Sequence, residues 1–333
     1  MARRHEINFA NFICRFGDEK VMIDLAEQIV IPAFMDREIE RKYKDTSYFF
    51  LQTKIIDFSE KKNMPVLGIV GRFIKNTLLE REQIYDDKNG LIKDKKAIQS
   101  SPSAVFVLIL NNHKLIYLKE TANAPSMAEL HSTIDKFIRK KHEKFITDTY
   151  KRLKHHNKKA SKYDVYREYP VPRIKIIPLS SEESLKEFVQ RYQTLTTVET
   201  TLVQKNHEVD LNGFFSQLRE TMDAVGAKRT ALKHTNTKDG LSKEKVVEQL
   251  SVVAGQGNTE IKLNGKDAQG DTLNGDNHNF KIKVPIDEVK ETVEESAFQM
   301  FDTFNKLIKN KTIKIAETEH SVNEKIKEIR DRL

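Results

Sequence analysis

Residues 103–153 read SAVFVLILNNHKLIYLKETANAPSMAELHSTIDKFIRKKHEKFITDTYKRL, and this stretch decides the fold class. Residues 103–110 are an apolar run rich in β-branched residues, Asn111-Asn112-His113-Lys114 is a turn, and residues 115–119 resume the run. Two such runs joined by four polar residues predict an antiparallel hairpin. Ser126, with Glu129 three residues on, then has the spacing of a reciprocal helix cap, so a helix starts after Pro125. Leu130, Ile134, Phe137 and Ile138, then Phe145, Ile146, Tyr150 and Leu153, keep a slowly drifting apolar stripe to about residue 153. A hairpin running straight into an amphipathic helix is an α+β signature, because the helix has a sheet face to cover.

Working outward gives the same class. On the N-terminal side, residues 6–16, 48–58 and 66–77 read as strands. Residues 18–30 have helical spacing that stops before Pro32, and Asp87-Lys88-Asn89-Gly90 is a strong turn. On the C-terminal side, strands are expected at 173–179, 194–203, 227–234, 259–263 and 279–286, the last two forming a hairpin around a Gly/Asn/Asp loop. Helices are expected at 181–192, 210–225, 242–253 (capped by Gly255) and 287–309. A chain of 333 residues exceeds one ordinary domain. The expected organisation is two α+β domains, each a mostly antiparallel sheet packed with helices, joined by a basic helix and linker. Residues 1–155 form the first, 156–172 the linker, 173–309 the second and 310–333 a charged, partly helical tail.

Composition narrows the function classes. Hydrophobic residues make up 38% and charged residues 32%, which is globular. Cys14 is the only cysteine, so no disulfide forms within the chain and a thiolate zinc site cannot close. The first residues lack the apolar core of a secretory signal, and no apolar run approaches the roughly 18 residues of a membrane span, so a cytoplasmic location is expected.

The net charge of +8 has one source. Residues 136–162 hold eleven Lys and Arg against two acids, and the remainder is close to neutral. Lys136, Lys140, Lys144, Lys151, His155 and Lys158 recur at helical spacing on the side away from the apolar stripe, and Lys140, Lys144, Lys151, Arg152, Lys158 and Lys159 are the candidate nucleic-acid contacts, interleaved with Tyr150, Tyr163, Tyr166 and Tyr169. Such a display suits a phosphate backbone, with condensed counterions released on binding. Lys233, Lys238, Lys243 and Lys245, together with Lys228, Arg229 and His234, form a second patch, and Ser242 caps the helix that follows. No base-reading motif is present, so sequence-tolerant binding is expected. Docking on an acidic protein or membrane surface is the alternative for the same charges.

Catalytic readings are weaker. Adjacent His155 and His156 point about 100° apart on a helix and make no metal pair. Gly68-Ile-Val-Gly71 is a strand, not a phosphate loop, and residues 267–279 miss the calcium-loop spacing. Glu260-Ile-Lys262 with Asp239 upstream matches a metal-dependent nuclease pattern. Glu-x-Lys also starts at Glu40, Glu60 and Glu288, and simple alternation explains Glu260 and Lys262 on one strand face. No cofactor, metal or catalytic residue is assigned.

The order of elements carries a resemblance. The hairpin leads into Ala124-Pro125-Ser126 and its helix. Ile176-Ile177-Pro178-Leu179, Thr196-Thr197-Val198-Glu199, residues 214–222, Gly226, Asp267-Ala268-Gln269-Gly270-Asp271 and Val284-Pro285-Ile286 follow. From about residue 100 onward this resembles the RexA-like DNA-binding proteins of phage lambda and of bacterial anti-phage systems such as Kiwa, and a related uncharacterised bacterial family. The resemblance implies a two-domain homodimer that clamps duplex DNA without sequence preference and acts with a membrane or effector partner. It brings no catalytic residues. The family's basic turn would fall on Lys233, Lys238, Lys243 and Lys245, and residues 139–162 read as an insertion.

Overall fold

Strand β1 (His5–Phe16) is the strand on which the larger sheet assembles. The computed structural model describes every residue except 1–4, 60–63, 207, 209–212 and 317–318. Along one edge β1 pairs with residues 114–118; along the other it pairs with residues 172–178, from mid-chain, and with residues 283–286. A turn at Gly17 returns it to the short β2 (Lys20–Val21). The sheet continues through β3 (Arg41–Tyr43), β4 (Thr46–Asp57), β5 (Leu67–Asp86), β6 (Gly90–Ser100), β7 (Ser103–Ile109) and β8 (Lys114–Lys119). Its remaining strands are β9 (Pro172–Pro178) and β14 (Lys283–Ile286), and its spatial order is β14-β1-β8-β7-β5-β4-β3. β9 and β14 share one edge of β1, at residues 10–16 and 5–8 respectively.

Both faces of this sheet are covered, which is why the middle of β1 is buried without alternation. One face takes α1 (Ile31–Met35), α2 (Met127–His156) and α8 (His320–Asp331) over Phe12, Phe34, Phe50, Phe106 and Phe137. The Phe50 ring lies 5.2 Å from Phe106 and meets Phe137 edge-on at 5.5 Å. The other face takes α7 (Val293–Lys309), with Phe304 stacked 6.0 Å from Phe9 and Phe301 4.5 Å from Phe58. Between α2 and β9 lies α3 (Lys162–Glu168).

The smaller sheet has the order β11-β10-β12-β13, from β10 (Thr194–Val203), β11 (Arg229–Thr235), β12 (Thr259–Lys266) and β13 (Thr272–Asp276). Helices α4 (Glu182–Gln190), α5 (Gly213–Ala224) and α6 (Lys243–Gln256) enclose its separate core around Phe188, Tyr192, Val198, Leu250 and Phe280. All strand pairs are antiparallel, so the chain is α+β as expected. Where the two sheets meet, the buried Lys114 ammonium donates to Asn11 Oδ1 at 2.9 Å and pairs with Glu208 at 2.7 Å; Asn11 Nδ2 donates to Asn258 Oδ1 at 2.7 Å.

Several boundaries differ from the expectation. β9, β14 and α7 were assigned to the second half, but β9 and β14 fill the open edge of β1 in the first sheet and α7 covers that sheet's face. The smaller core runs from Leu185 to Phe280, inside residues 173–309. β12 pairs with β13, inside the supposed loop, and Gly270 at φ +86° makes the turn between them. Residues 283–286 instead join β1, with Pro285 on the sheet edge where its missing N–H costs least. Helix α6 ends on Gly257 in the left-handed conformation, not on Gly255. The tail is no mere charged extension, since Val322, Ile326 and Ile329 enter the first core. Helical structure also passes through Pro32: a π turn at Ala26–Val30, in which Ile31 N–H donates to Ala26 O, re-spaces the backbone ahead of the proline. The helix expected over 210–225 is described from Gly213; residues 210–212, like Glu60 of the Glu-x-Lys series, lie outside the described residues.

Glu129 joins the cap of α2 to the sheet. Burial alone would raise its pKa, but hydrogen bonds from the Ser126 backbone, the Tyr48 and Ser126 hydroxyls and Lys75 outweigh it and bring the carboxyl down to about 2. A depressed carboxyl contributes stability above its unfolded pKa and loses it as pH falls through the folded value. Stability is therefore expected to decline as pH drops from about 5 toward 2. Urea titrations at several pH values should show part of that decline missing in Glu129→Gln, which is already weaker at neutral pH.

Candidate nucleic-acid interface

The sequence places a helix where it can both anchor and project. Ser126 Oγ accepts from Glu129 N–H at 3.2 Å, and the Glu129 carboxylate accepts from Ser126 N–H at 2.7 Å. Leu130, Ile134, Phe137, Ile138 and Ile146 bury the first two thirds of α2. From residue 147 onward nothing on the helix is buried, and Leu153, expected on the stripe, is 42% exposed. The apolar spacing persists there, but the sheet has ended.

Helix α3 turns back on this projecting end. Ser161 and Asp164 form its cap, Val165 is buried, and Tyr169 meets Phe145 edge-on at 5.1 Å. The buried His142 ring bonds to Tyr169 O at 2.8 Å. Burial holds the His142 pKa below its ordinary value, so a neutral ring pins the two segments together. Lys20 caps the same corner, 5.2 Å above the Tyr169 ring. Of the four interleaved tyrosines, Tyr163 is presented to solvent at 74% exposure, whereas Tyr166 and Tyr169 pack inward.

The cations on this end differ in their partners. Arg139 pairs with Asp135 and Lys141 with Asp36. Lys140, Lys144, Lys151, Lys158 and Lys159 are exposed and form no ion pair among the described residues; Arg152 is exposed and bonds only Thr149 Oγ1. Arg167, on α3, is an exposed cation not singled out from the sequence, because its segment reads as linker. The Ser161-x-x-Asp164 cap spacing was the available signal.

The second patch is not one surface. Lys228 pairs with Asp18 and Arg229 with Glu260, at the end of β11 that faces the large sheet. Lys233 and Lys238 are exposed, and Lys238 lies beyond the opposite end of that strand, roughly 20 Å along it. Lys245 is exposed on the first turn of α6, but Lys243 is half-buried and donates to Tyr192 O. The helical end and the Lys238–Lys245 rim thus stay separate, and Lys243 is committed internally.

The nuclease alternative fails on geometry. Glu260 sits opposite Thr201 on β10 and binds Lys175, whereas Asp239 lies past the other end of β10, where Gly240 approaches Thr194. Glu260 and Lys262 do share the outer face of β12, as alternation requires. No cluster of three His, Cys, Asp or Glu side chains arranged for a metal occurs among the described residues. Cys14 is fully buried, and burial raises its thiol pKa, so it is no nucleophile. No described helix is long and apolar enough to cross a membrane. No protein-family model matches the chain, and no curated protein matches it.

Proposed function

We propose that this chain binds nucleic acid, duplex DNA above all, through its backbone phosphates and without strong sequence choice, using the exposed end of α2 and the α3 turn. One observation carries the reading: five exposed lysines that form no ion pair among the described residues line α2 from its middle onward and the turn that follows it, where the helix runs out past its last buried residue, Ile146. Other cations of the chain are neutralised by partners, as at Arg72–Glu120 and Lys114–Glu208. Cations left unneutralised at this density gain most from a polyanion, through counterion release. Lys233, Lys238 and Lys245 form a separate rim, engaged by a ligand long enough to reach it. A sensing role in anti-phage defence, which the RexA-like resemblance implies, belongs to the same proposal.

The test is equilibrium binding across a salt series to duplex DNA, single-stranded DNA, RNA and anionic phospholipid vesicles. With about six phosphates neutralised, log K for the duplex should fall against log salt with a slope near −5. A slope near zero, or binding confined to the vesicles, would overturn the proposal.

A further inference from the structure

Past Asn76 the large sheet ends on one side, but β5 and β6 continue as a two-stranded arm. β4 and β7 leave β5 by Asn76 and Ile74, and from Thr77 to Ser100 each strand pairs only with the other. The arm is roughly 30 Å long at about 3.3 Å per residue. No residue on it is buried. It nevertheless carries six of the sixteen large apolar side chains exposed among the described residues: Leu78, Leu79, Tyr85, Leu91, Ile92 and Ile98. A bare two-stranded ribbon is marginal in water, and apolar residues on both its faces call for a cover.

Register assigns the two faces. Leu79 opposes Ile98, Arg81 opposes Lys96, Gln83 opposes Lys93 and Tyr85 opposes Leu91. By alternation these lie on the side of Lys75, which reaches Glu129 at the start of α2. This face reads apolar, basic, basic, apolar; Asp94, at the bulge in β6, offsets Arg81 alone. The other face holds Leu78, Glu80 with Ala97, Glu82, and Ile84 with Ile92. It reads apolar, acidic, acidic, apolar, against one cation, Lys95.

Both patterns read the same in either direction, and they are complementary. We infer that the arm self-associates with the arm of a second copy of this chain, laid antiparallel, basic face on acidic face. At the roughly 10 Å spacing of packed sheets, Leu79 and Ile98 would sit over Ile84 and Ile92 of the second copy. Tyr85 and Leu91 would sit over Leu78 and its cross-strand neighbour Gln99, with Lys93 and Lys96 across from Glu80 and Glu82. The antiparallel direction keeps the two bodies at opposite ends. Like-face pairing would set basic on basic or acidic on acidic. A nucleic acid is the wrong occupant, because the arm carries five basic and five acidic residues and one face is acidic. The contact is heterologous, so each pair leaves one face of each kind open and larger species grow with concentration. The arm leaves the sheet where α2 begins, away from the helix's basic end, so this inference stands independently of the nucleic-acid proposal.

Sedimentation velocity from about 1 to 100 μM tests it. The wild-type average mass should rise above that of one chain, less steeply at high salt. Lys93→Glu with Lys96→Glu makes both faces acidic, and Glu80→Lys with Glu82→Lys makes both basic. Each variant should need about tenfold or more protein to associate, because like charges then face each other. Mixed one to one, the two variants should associate again. Circular dichroism of each variant should match wild type, since every changed side chain is exposed. Tyr85→Ser with Leu91→Ser should weaken association without altering charge. A wild type that stays at one chain's mass, either charge variant associating like wild type, or a mixture that stays dissociated overturns the inference.

Discussion

Reversal of Lys140, Lys144 and Lys151 to glutamate is expected to weaken duplex binding by on the order of a hundredfold near 0.1 M salt, alike for unrelated sequences. Three lost phosphate contacts should also make the salt slope shallower by about 3. The fold should be untouched, because all three side chains are exposed and unpaired, so a thermal melt that matches wild type is the control. Reversal of Lys238 and Lys245 provides the contrast. On a duplex too short to reach from α2 to the far rim of the smaller sheet, that variant should bind as wild type; on a longer one it should bind more weakly. Two patches acting on one ligand raise each other's effective concentration only when the ligand spans both. Unchanged affinity in the first variant at every salt would assign the basic end to some other partner.

The second large effect concerns the seam between the sheets. Lys114→Met is expected to destabilise the chain by about 3–5 kcal/mol, the cost of leaving one member of a buried ion pair alone. The Lys114 side chain is 3% exposed and its partner Glu208 12% exposed, so water does little to screen the stranded carboxylate. The change also removes the donor that Asn11 Oδ1 accepts from, on β1 of the larger sheet. A shift of the urea midpoint with an unchanged slope would measure it. Adding Glu208→Gln should recover part of the loss, because a neutral amide is cheaper to leave unpaired than a carboxylate.

Much of the larger sheet was legible, and the reasons are local. The hairpin at 103–119 and the Ser126–Glu129 cap depend on neighbours within a few residues, and the structure realises both. Strand β10 was readable at its observed bounds from β-branched composition. What the sequence could not reveal was which strand fills which edge. Residues 283–286 look the same whether they pair with β12 or with β1, since register is settled by packing, not by composition. The far halves of β5 and β6 went unread because their apolar residues alternate with charges on both faces, leaving no single buried face to detect. Of the candidate interface, the charge density was visible but its partners were not. Lys141 and Lys144 look equivalent on the helix, yet Asp36 neutralises the first. Likewise Lys243 and Lys245 straddle one turn, but Tyr192 O holds the first.

Strand β1 is made before every other described strand, and its edge is completed by the last of them. His5 pairs with Ile286, and Phe16 with Pro172. At roughly 5–20 residues per second, the chain waits on the order of 15–60 s between making β1 and making the strand that closes its N-terminal edge. During that interval Ile7, buried in the finished protein, has an open hydrogen-bonding edge beside it, while Phe12 and Ile13 wait only for β9. Closure across so long a separation is slow for topological reasons. Nascent chains should therefore stay protease-sensitive at residues 5–8 of β1 until residues beyond 286 have emerged, and refolding from denaturant should gain its last tertiary signal late. Production of the protein would then depend on chaperone supply more than its final stability suggests.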